Sequence, residues 1–567
     1  MKSKLLLVIA SITMTMSLVD TSGQSMFKDV SDSAGIVHEF VVYEGMFGGG
    51  ASVIDFDRDG WEDVFITGGT ADDVLYHNNR NGTFTNVYEK SGLLVSKQFI
   101  TQGVASADVN RDGWPDLFIT TINYRDSIRP IPRAPNLLFL NRGDGTFKDV
   151  TKEYGLIDMI SFSQGVSFGD FNADGYPDAY VGNYFLSYEG ELSQINDATI
   201  VNANQTTQGY LLKNINGHSF DDVYADYGLH HRGFGFGAVF TDFDNDQDVD
   251  LFVNHDFGYK APSNVLLEND YPSKEFKDVS KVYGMDLKMN AMGTAIGDYN
   301  NDGLMDYYVT NIRFNQFMVN QGQGKPFMEM SRPLGIGMIS ISWGTNFADF
   351  DNDGDLDLFV ANGDLNPNNT PLVDFYFEYD SGKFNERAMA RGLNDYGIGR
   401  GSITFDMDND GDLDLLVVNQ RSTQQYPAKS TTRLYRNDSP VGNNWLKVRL
   451  VGTASDLQGL GARVDVVVGK LRLTREIDGG SSHLSQNSPI AHFGIHTATK
   501  IDSVIVRWIG GKTQYITNQN PNMMITVTES RSIRNNNRVI ILLSIVLPLI
   551  GVVLFRYRGI FTGIKRA

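Results

Sequence analysis

"FADFDNDGDLDLFVANGD" (347–364) sets five aspartates at alternate positions from 349 to 357, directly ahead of an apolar run. Carboxylates that close repel one another, so the arrangement calls for a counter-charge. The chain repeats it seven times at one spacing: "DFDRDGWED" (55–63), "DVNRDGWPD" (108–116), "DFNADGYPD" (170–178), "DFDNDQDVD" (242–250), "DYNNDGLMD" (298–306), "DFDNDGDLD" (349–357) and "DMDNDGDLD" (406–414). Each nonamer follows a stretch of glycine and small residues, such as "FGGGASVI" (47–54), and precedes a short apolar strand, such as "LFVA" (358–361). Further on, a Gly/Asn turn joins two extended runs, most clearly in "NLLFLNRGDGTFKDVTKEYGL" (136–156), the pattern of a β-hairpin. Each unit therefore holds four strands, and four-stranded units repeated in tandem are propeller blades.

The ends of the array complement each other. "FKDVSDSAGI" (27–36) supplies only the last strand of a unit, and "TRLYRN" (432–437) only the third. Pairing them closes the ring and leaves no open sheet edge. The expected fold class is all-β: a seven-bladed β-propeller over 26–439 closed by its N- and C-terminal strands, then a small β-sandwich over 440–530 and a C-terminal transmembrane helix.

The pattern D-x-[DN]-x-D-G-x-x-D suits a hard cation, which takes 6 to 8 oxygens. The expected metal ligands are Asp55, Asp57, Asp59 and Asp63 in the first loop, and Asp108, Asn110, Asp112 and Asp116 in the second. They are Asp170, Asn172, Asp174 and Asp178 in the third, and Asp242, Asp244, Asp246 and Asp250 in the fourth. Asp298, Asn300, Asp302 and Asp306 follow in the fifth, Asp349, Asp351, Asp353 and Asp357 in the sixth, and Asp406, Asp408, Asp410 and Asp414 in the seventh. The carbonyl of Asp355 would add a ligand, and Gly354 permits the tight turn. An EF-hand is excluded: its position-12 glutamate is replaced by Ile66, Ile119, Val181, Val253, Val309, Val360 and Val417, all β-formers in the next strand. Asn110, Asn172 and Asn300 should weaken their sites, and Gln247 removes the turn glycine from the fourth. The expected cofactor is calcium, up to seven ions; empty Asx-type turns are the alternative.

Bulk composition agrees. The chain has 567 residues, 58 glycines and a net charge of -20, which argues against nucleic-acid binding. Without cysteine, no disulfide, thiolate metal site or cysteine nucleophile is available. Residues 1–25 read as a secretory signal: Lys2 and Lys4, an apolar stretch, then small residues. "VIILLSIVLPLIGVVLF" (539–555) reads as a membrane span, with 556–567 a short basic cytoplasmic tail. This predicts a secreted, membrane-anchored chain whose bulk lies outside the cytoplasm.

At the seven loops the chain resembles the FG-GAP/VCBS repeat family, which includes the integrin α-subunit propeller; the resemblance implies calcium in the loops. Residues 440–530 resemble the ASPIC/UnbV domain through Asn444-Trp445, "GLGARV" (459–464), "SQNS" (485–488), "HFGI" (492–495) and "VRWIGG" (506–511), where Trp-Pro-Gly is more usual. The combination resembles the cartilage acidic protein-like family, which implies an extracellular calcium-binding protein without established chemistry.

No catalytic residue is expected: no Ser-His-Asp elbow, HExxH or phosphate loop is present. His483, His492 and His496 read as framework residues, and Arg142-Gly143-Asp144 as a hairpin turn. Sequons fall at Asn81, Asn204, Asn368 and Asn437. Connections after the second strands (123–136, 183–210, 419–432) share the face opposite the acidic loops and carry Tyr124, Arg125, Tyr184, Phe185, Arg421 and Tyr426, the expected partner-binding residues. The expected function is adhesion or recognition of an extracellular protein or glycan, with the sandwich as a stalk. A carbohydrate-active or secondary-metabolite enzyme using the central channel, or a passive spacer, are the alternatives.

Overall fold

The computed structural model describes residues 25–42, 47–125, 134–185, 205–365, 370–439 and 442–530. The signal segment up to residue 24, the apolar segment 539–555 and the tail 556–567 lie outside them. Among the described residues no helix is long and apolar enough to cross a membrane.

The repeats fold as expected. Among the described residues they form six four-stranded antiparallel sheets and a seventh that gains a fifth strand, Ile312–Phe314. The acidic nonamer links the inner strand to the second strand in every sheet; in the sixth these are Ile339–Ala348 and Asp357–Asn362. Second strands such as Asp63–Ile66 and Asp414–Asn419 are buried throughout, so they read as continuous apolar runs rather than alternating ones. The ring closes as predicted: Phe27–Asp29 pairs with Arg433–Asn437, with Phe27 opposite Asn437 and Asp29 opposite Tyr435. Around the axis, Gly401 N donates to Gly49 O (3.1 Å) and Gly50 N to Gln102 O (2.9 Å).

Neighbouring blades are fastened by a side chain that the motif reading passed over. The third strand ends in asparagine in six blades, and its amide reaches the preceding blade's loop. Asn141 Nδ2 donates to Phe56 O, Asn214 to Val109 O, Asn269 to Phe171 O and Asn320 to Phe243 O, each at 2.8 Å. Asn437 reaches Phe350 O at 2.7 Å, and Asn78 crosses the closure to Met407 O at 2.8 Å. All six asparagines are buried. The sequence signal is the repeated terminal residue of "LYHN", "LFLN", "LLKN", "LLEN", "FMVN" and "LYRN". In the sixth blade Tyr379 takes the position, and its ring packs against Tyr299 at 5.7 Å instead.

The second domain is the expected sandwich. Trp445–Val451 lies between Ala491–Gly494 and Met523–Thr528, its parallel partner. A four-stranded sheet in the order Leu471–Glu476, Arg463–Val468, Ile501–Trp508, Lys512–Gln519 completes it. Leu446, Val448, Val464, Val506, Trp508 and Phe493 fill the core. It is not a stalk. The same apolar cluster runs on into Ala107, Val109 and Phe168 of the propeller, and residues up to Glu529 form one compact unit. The burial of Gly-rich, polar connections against the ring, rather than an extended spacer, sets this arrangement.

Candidate functional site: the acidic loops and their cover

Six loops share one internal geometry, and the first differs only in that Asp59 N reaches Asp57 Oδ1 (3.3 Å) rather than Asp55. The first aspartate is held by backbone donors from positions five and six: in the sixth loop Asp353 N reaches Asp349 Oδ1 (3.1 Å) and Gly354 N reaches Asp349 Oδ2 (3.0 Å). The second and seventh loops repeat this at Asp108 and Asp406. The ninth residue ties the loop to its own blade: Asp414 accepts from Met407 N (2.7 Å) and Asn437 N (2.8 Å). The turn requires the left-handed region at position six, where Gly354 has φ +97° and Gly411 +95°; Gln247 is forced to +74° in the fourth loop. Position four is left-handed too, at Asn352 (60°) and Asn409 (58°) but also Arg58 (55°).

This framing brings carboxylates together. Oxygens of Asp55, Asp57 and Asp63 lie within 4.8 Å of one another, as do those of Asp242, Asp244 and Asp246, of Asp349, Asp351 and Asp353, and of Asp406, Asp408 and Asp414. His77, on the third strand of the first blade, joins Asp57 and Asp59 in a further group; its Nε2 lies 2.9 Å from Asp57 Oδ2. Among the described residues the three asparagine-bearing loops show no three-acid group of this kind; their amides turn to Asp112 (2.9 Å), Asp178 (2.9 Å) and Asp302 (3.0 Å). Burial pushes the carboxyls upward and neighbouring carboxylates add to the effect. Asp63 is raised to about 9, Asp108, Asp170 and Asp351 to about 7, and Asp244 and Asp298 to about 6.

The donor set fits a hard divalent cation: carboxylate and amide oxygens, with no sulfur. Asp55 Oδ1, Asp248 Oδ1 and Asp408 Oδ1 are buried oxygens without a hydrogen-bond partner, which is where a cation would relieve the cost of burying charge. Asp248, at position seven, is a fifth acid in the fourth loop that the nonamer pattern hid.

The second domain covers this face and brings its own cations. Lys447 Nζ lies 2.6 Å from Asp406 Oδ2, both residues nearly inaccessible. Arg463 approaches Asp242 Oδ2 at 3.9 Å and donates to the Asp242 carbonyl, and Arg449 stands 3.7 Å from Asp55. Gly494 N donates to Asp349 Oδ2 (2.9 Å), and Asp108 N to Gln458 Oε1 (2.9 Å).

From the same domain, residues 478–488 enter the central channel and bond to its inner strands. Phe168 N donates to Gly479 O (2.7 Å), Thr294 N to Ser482 O (3.1 Å), Val104 N to Leu484 O (3.2 Å) and Val53 N to Gln486 O (3.2 Å). Thr345 N reaches Ser482 Oγ (3.0 Å), Thr404 N reaches Asn487 Oδ1 (2.9 Å), and the His483 ring packs on Phe236 at 5.5 Å. This explains the glycines of the inner strands. A Cβ on Gly50 would fall 2.1 Å from Leu484 O, and one on Gly293 2.7 Å from Ser482 O.

The three histidines stay apart, as framework residues do: His483 faces Met292 O, His492 faces Gly411 O and His496 faces Asn443. The Arg-Gly-Asp tripeptide forms a hairpin turn, with Arg142 N bonded to Thr146 O at 2.9 Å. Asn437 is buried as a clamp, Asn81 is exposed, and Asn204 and Asn368 lie outside the described residues.

The partner-binding expectation needs correction. Tyr184 and Phe185 are fully buried in an aromatic cluster with Phe234, Phe236 and Trp343, and Tyr184 Oη donates to Asp256 Oδ2 (2.5 Å). Their apolar area closes the channel instead of facing solvent. Arg125 is engaged by Phe99 O (2.9 Å) and Asp72 (2.8 Å), and Tyr426 Oη by Tyr396 O. Tyr124 and Arg421 remain exposed.

A ring of such loops under a sandwich defines a class of repeat protein. The FG-GAP-like repeat matches residues 55–119, 127–181, 242–309, 298–360 and 349–417, more than half of the chain, which belongs to this family. ASPIC and UnbV matches residues 452–534. Cartilage acidic protein 1 from Mus musculus is 26% identical over 483 residues, covering 82% of this chain and 70% of that protein. The Homo sapiens protein is 25% identical over 482 residues, covering 82% and 69%. A solved lectin from Agrocybe aegerita, described as recognising non-reducing terminal N-acetylglucosamine, is similar at a TM-score of 0.35 and 14% identity, covering 70% of this chain and 92% of that one.

Proposed function

We propose that the chain is an extracellular recognition or adhesion module whose propeller is stiffened by calcium in the acidic loops. The observation that carries the calcium reading is the convergence of three carboxylates in four of the loops, with buried oxygens left unpartnered. When bound, the ion supplies charge neutralisation and no chemistry. The first, third, fifth and ninth side chains named above would hold it, with His77 a further donor in the first loop. Calorimetric titration of calcium into chelator-treated protein tests this: several binding events are expected, and a flat titration would overturn it.

Recognition is assigned to the face opposite the second domain, because the acidic face and the channel are filled by the chain itself. The connections assigned to that face include the exposed side chains Phe314, Ile339, Tyr259 and Tyr124 and the exposed cation Arg421. The likeness to cartilage acidic protein 1 supports an extracellular setting, as does the leader-like sequence. The membrane anchor at 539–555 belongs to the same proposal. A channel enzyme would be confined to the space that residues 478–488 leave free, about 120 Å³. A screen against glycans and extracellular proteins, repeated with Phe314→Ser and Arg421→Ala, tests the assignment; a partner that binds both variants as it binds the parent removes it.

A further inference from the structure

A cavity of about 120 Å³ lies between residues 478–488, the inner strands of blades four to seven and the second domain. Two of its lining side chains keep a buried polar atom without a partner among the described residues, Arg475 Nη2 and His492 Nδ1. Arg475 donates through Nη1 to Thr474 O (3.0 Å) and lies over the Phe493 ring. The surrounding carboxylates are committed elsewhere. Asp349 accepts from Asp353, Gly354 and Gly494 backbone N–H groups. Asp478 accepts from Gly480 N, Ser481 Oγ and Asn487 Nδ2, and Glu476 pairs with Arg463 at 3.2 Å. The Arg475 charge thus lacks a hydrogen-bonded anion.

His492 supplies the complementary group. Its Nε2 lies 2.9 Å from Gly411 O. A carbonyl can only accept, so Nε2 carries the proton; burial pushes the imidazole down to about 3, so the ring is neutral and Nδ1 presents a lone pair. The cavity therefore offers a cationic donor and a neutral acceptor, each costly to leave unmade when buried. We propose that it binds a small monoanionic hydroxy acid, with the carboxylate on Arg475 and the hydroxyl donating to His492. Both residues come from the second domain while the propeller supplies the opposite wall, so the site exists only in the docked arrangement. Asp349 of the sixth loop forms part of its wall, so the site is tested with calcium present.

The experiment uses the full chain in calcium, titrated with sodium glycolate and, in parallel, sodium acetate, which matches the charge but lacks the hydroxyl. Glycolate is expected to bind about tenfold more tightly than acetate, the cost of leaving one buried acceptor unpaired. Arg475→Met should abolish binding of both, and soaked crystals should show glycolate bridging Arg475 and His492. Equal affinities, or a cavity holding ordered water only, would overturn the proposal. The glycolate-to-acetate ratio is read on the unaltered protein, so it decides even if the variant fails to fold. Loss of this ratio with calcium binding intact would remove this site and leave the calcium reading standing.

Discussion

The two ends of the channel are closed by opposite chemistry. At the acidic end, seven carboxylate loops meet a domain that brings Lys447, Arg449, Arg463 and Arg475 against them. At the other end, Phe47, Tyr184, Phe185, Phe234, Phe236 and Trp343 pack into one apolar cluster. The first closure depends on counter-charge and hence on pH and divalent cations; the second depends on excluded water and is indifferent to both. One ring thus carries a conditional face and an unconditional one.

Chelation should break this contrast most strongly. Each ion at a hundred times its Kd stabilises by about 2.7 kcal/mol, so removing several should lower the melting temperature by many degrees, read by calorimetry with and without chelator. The chelated protein should also gain an inverted pH dependence. Carboxyls raised to about 6 and 7, such as Asp298 and Asp108, bind more protons folded than unfolded. Stability should therefore fall as pH rises from about 4 to 7, and calcium should abolish the slope; a flat profile in chelator would argue against crowded charge.

At the apolar end, Trp343→Ala should cost about 3–5 kcal/mol in denaturant titrations while leaving the calcium-induced shift in melting unchanged. A change in that shift would show that the ends are coupled. Asn437→Ala leaves the Phe350 carbonyl without its donor and should cost about 1–3 kcal/mol, a loss that the Tyr379→Ala variant would not reproduce at the Tyr299 carbonyl. Gln247→Gly removes a left-handed non-glycine residue and should stabilise by about 1 kcal/mol, with tighter calcium binding at the fourth loop.

Much of the conditional face was legible in the sequence. The spacing of Asp349 to Asp357 and its six copies gave the loops, and the split of "FKDV" from "TRLYRN" gave the closure, because both are local patterns with a fixed period. The cover was not legible. "DGGSSHLSQNS" (478–488) reads as an ordinary polar connection, and nothing in its composition says that it threads another domain. The glycines of the inner strands were half of that signal; the crowding they relieve comes from residues more than 100 positions away in most blades. Tyr184 and Phe185 failed as surface predictions for the same reason, since an aromatic pair in a long connection looks alike whether it caps a channel or meets solvent.

The asparagine amides carry a consequence for how the loops communicate. Each one hangs from a strand anchored to its own ninth aspartate and grips the loop of the blade before it, so a cation that tightens one loop pulls on the next. Tyr379 lacks that amide, but the fifth and sixth loops are joined directly, Asn301 Nδ2 donating to Asp355 Oδ1 (3.2 Å). The circle of links is therefore closed by two kinds of joint, and filling should spread around it from neighbour to neighbour.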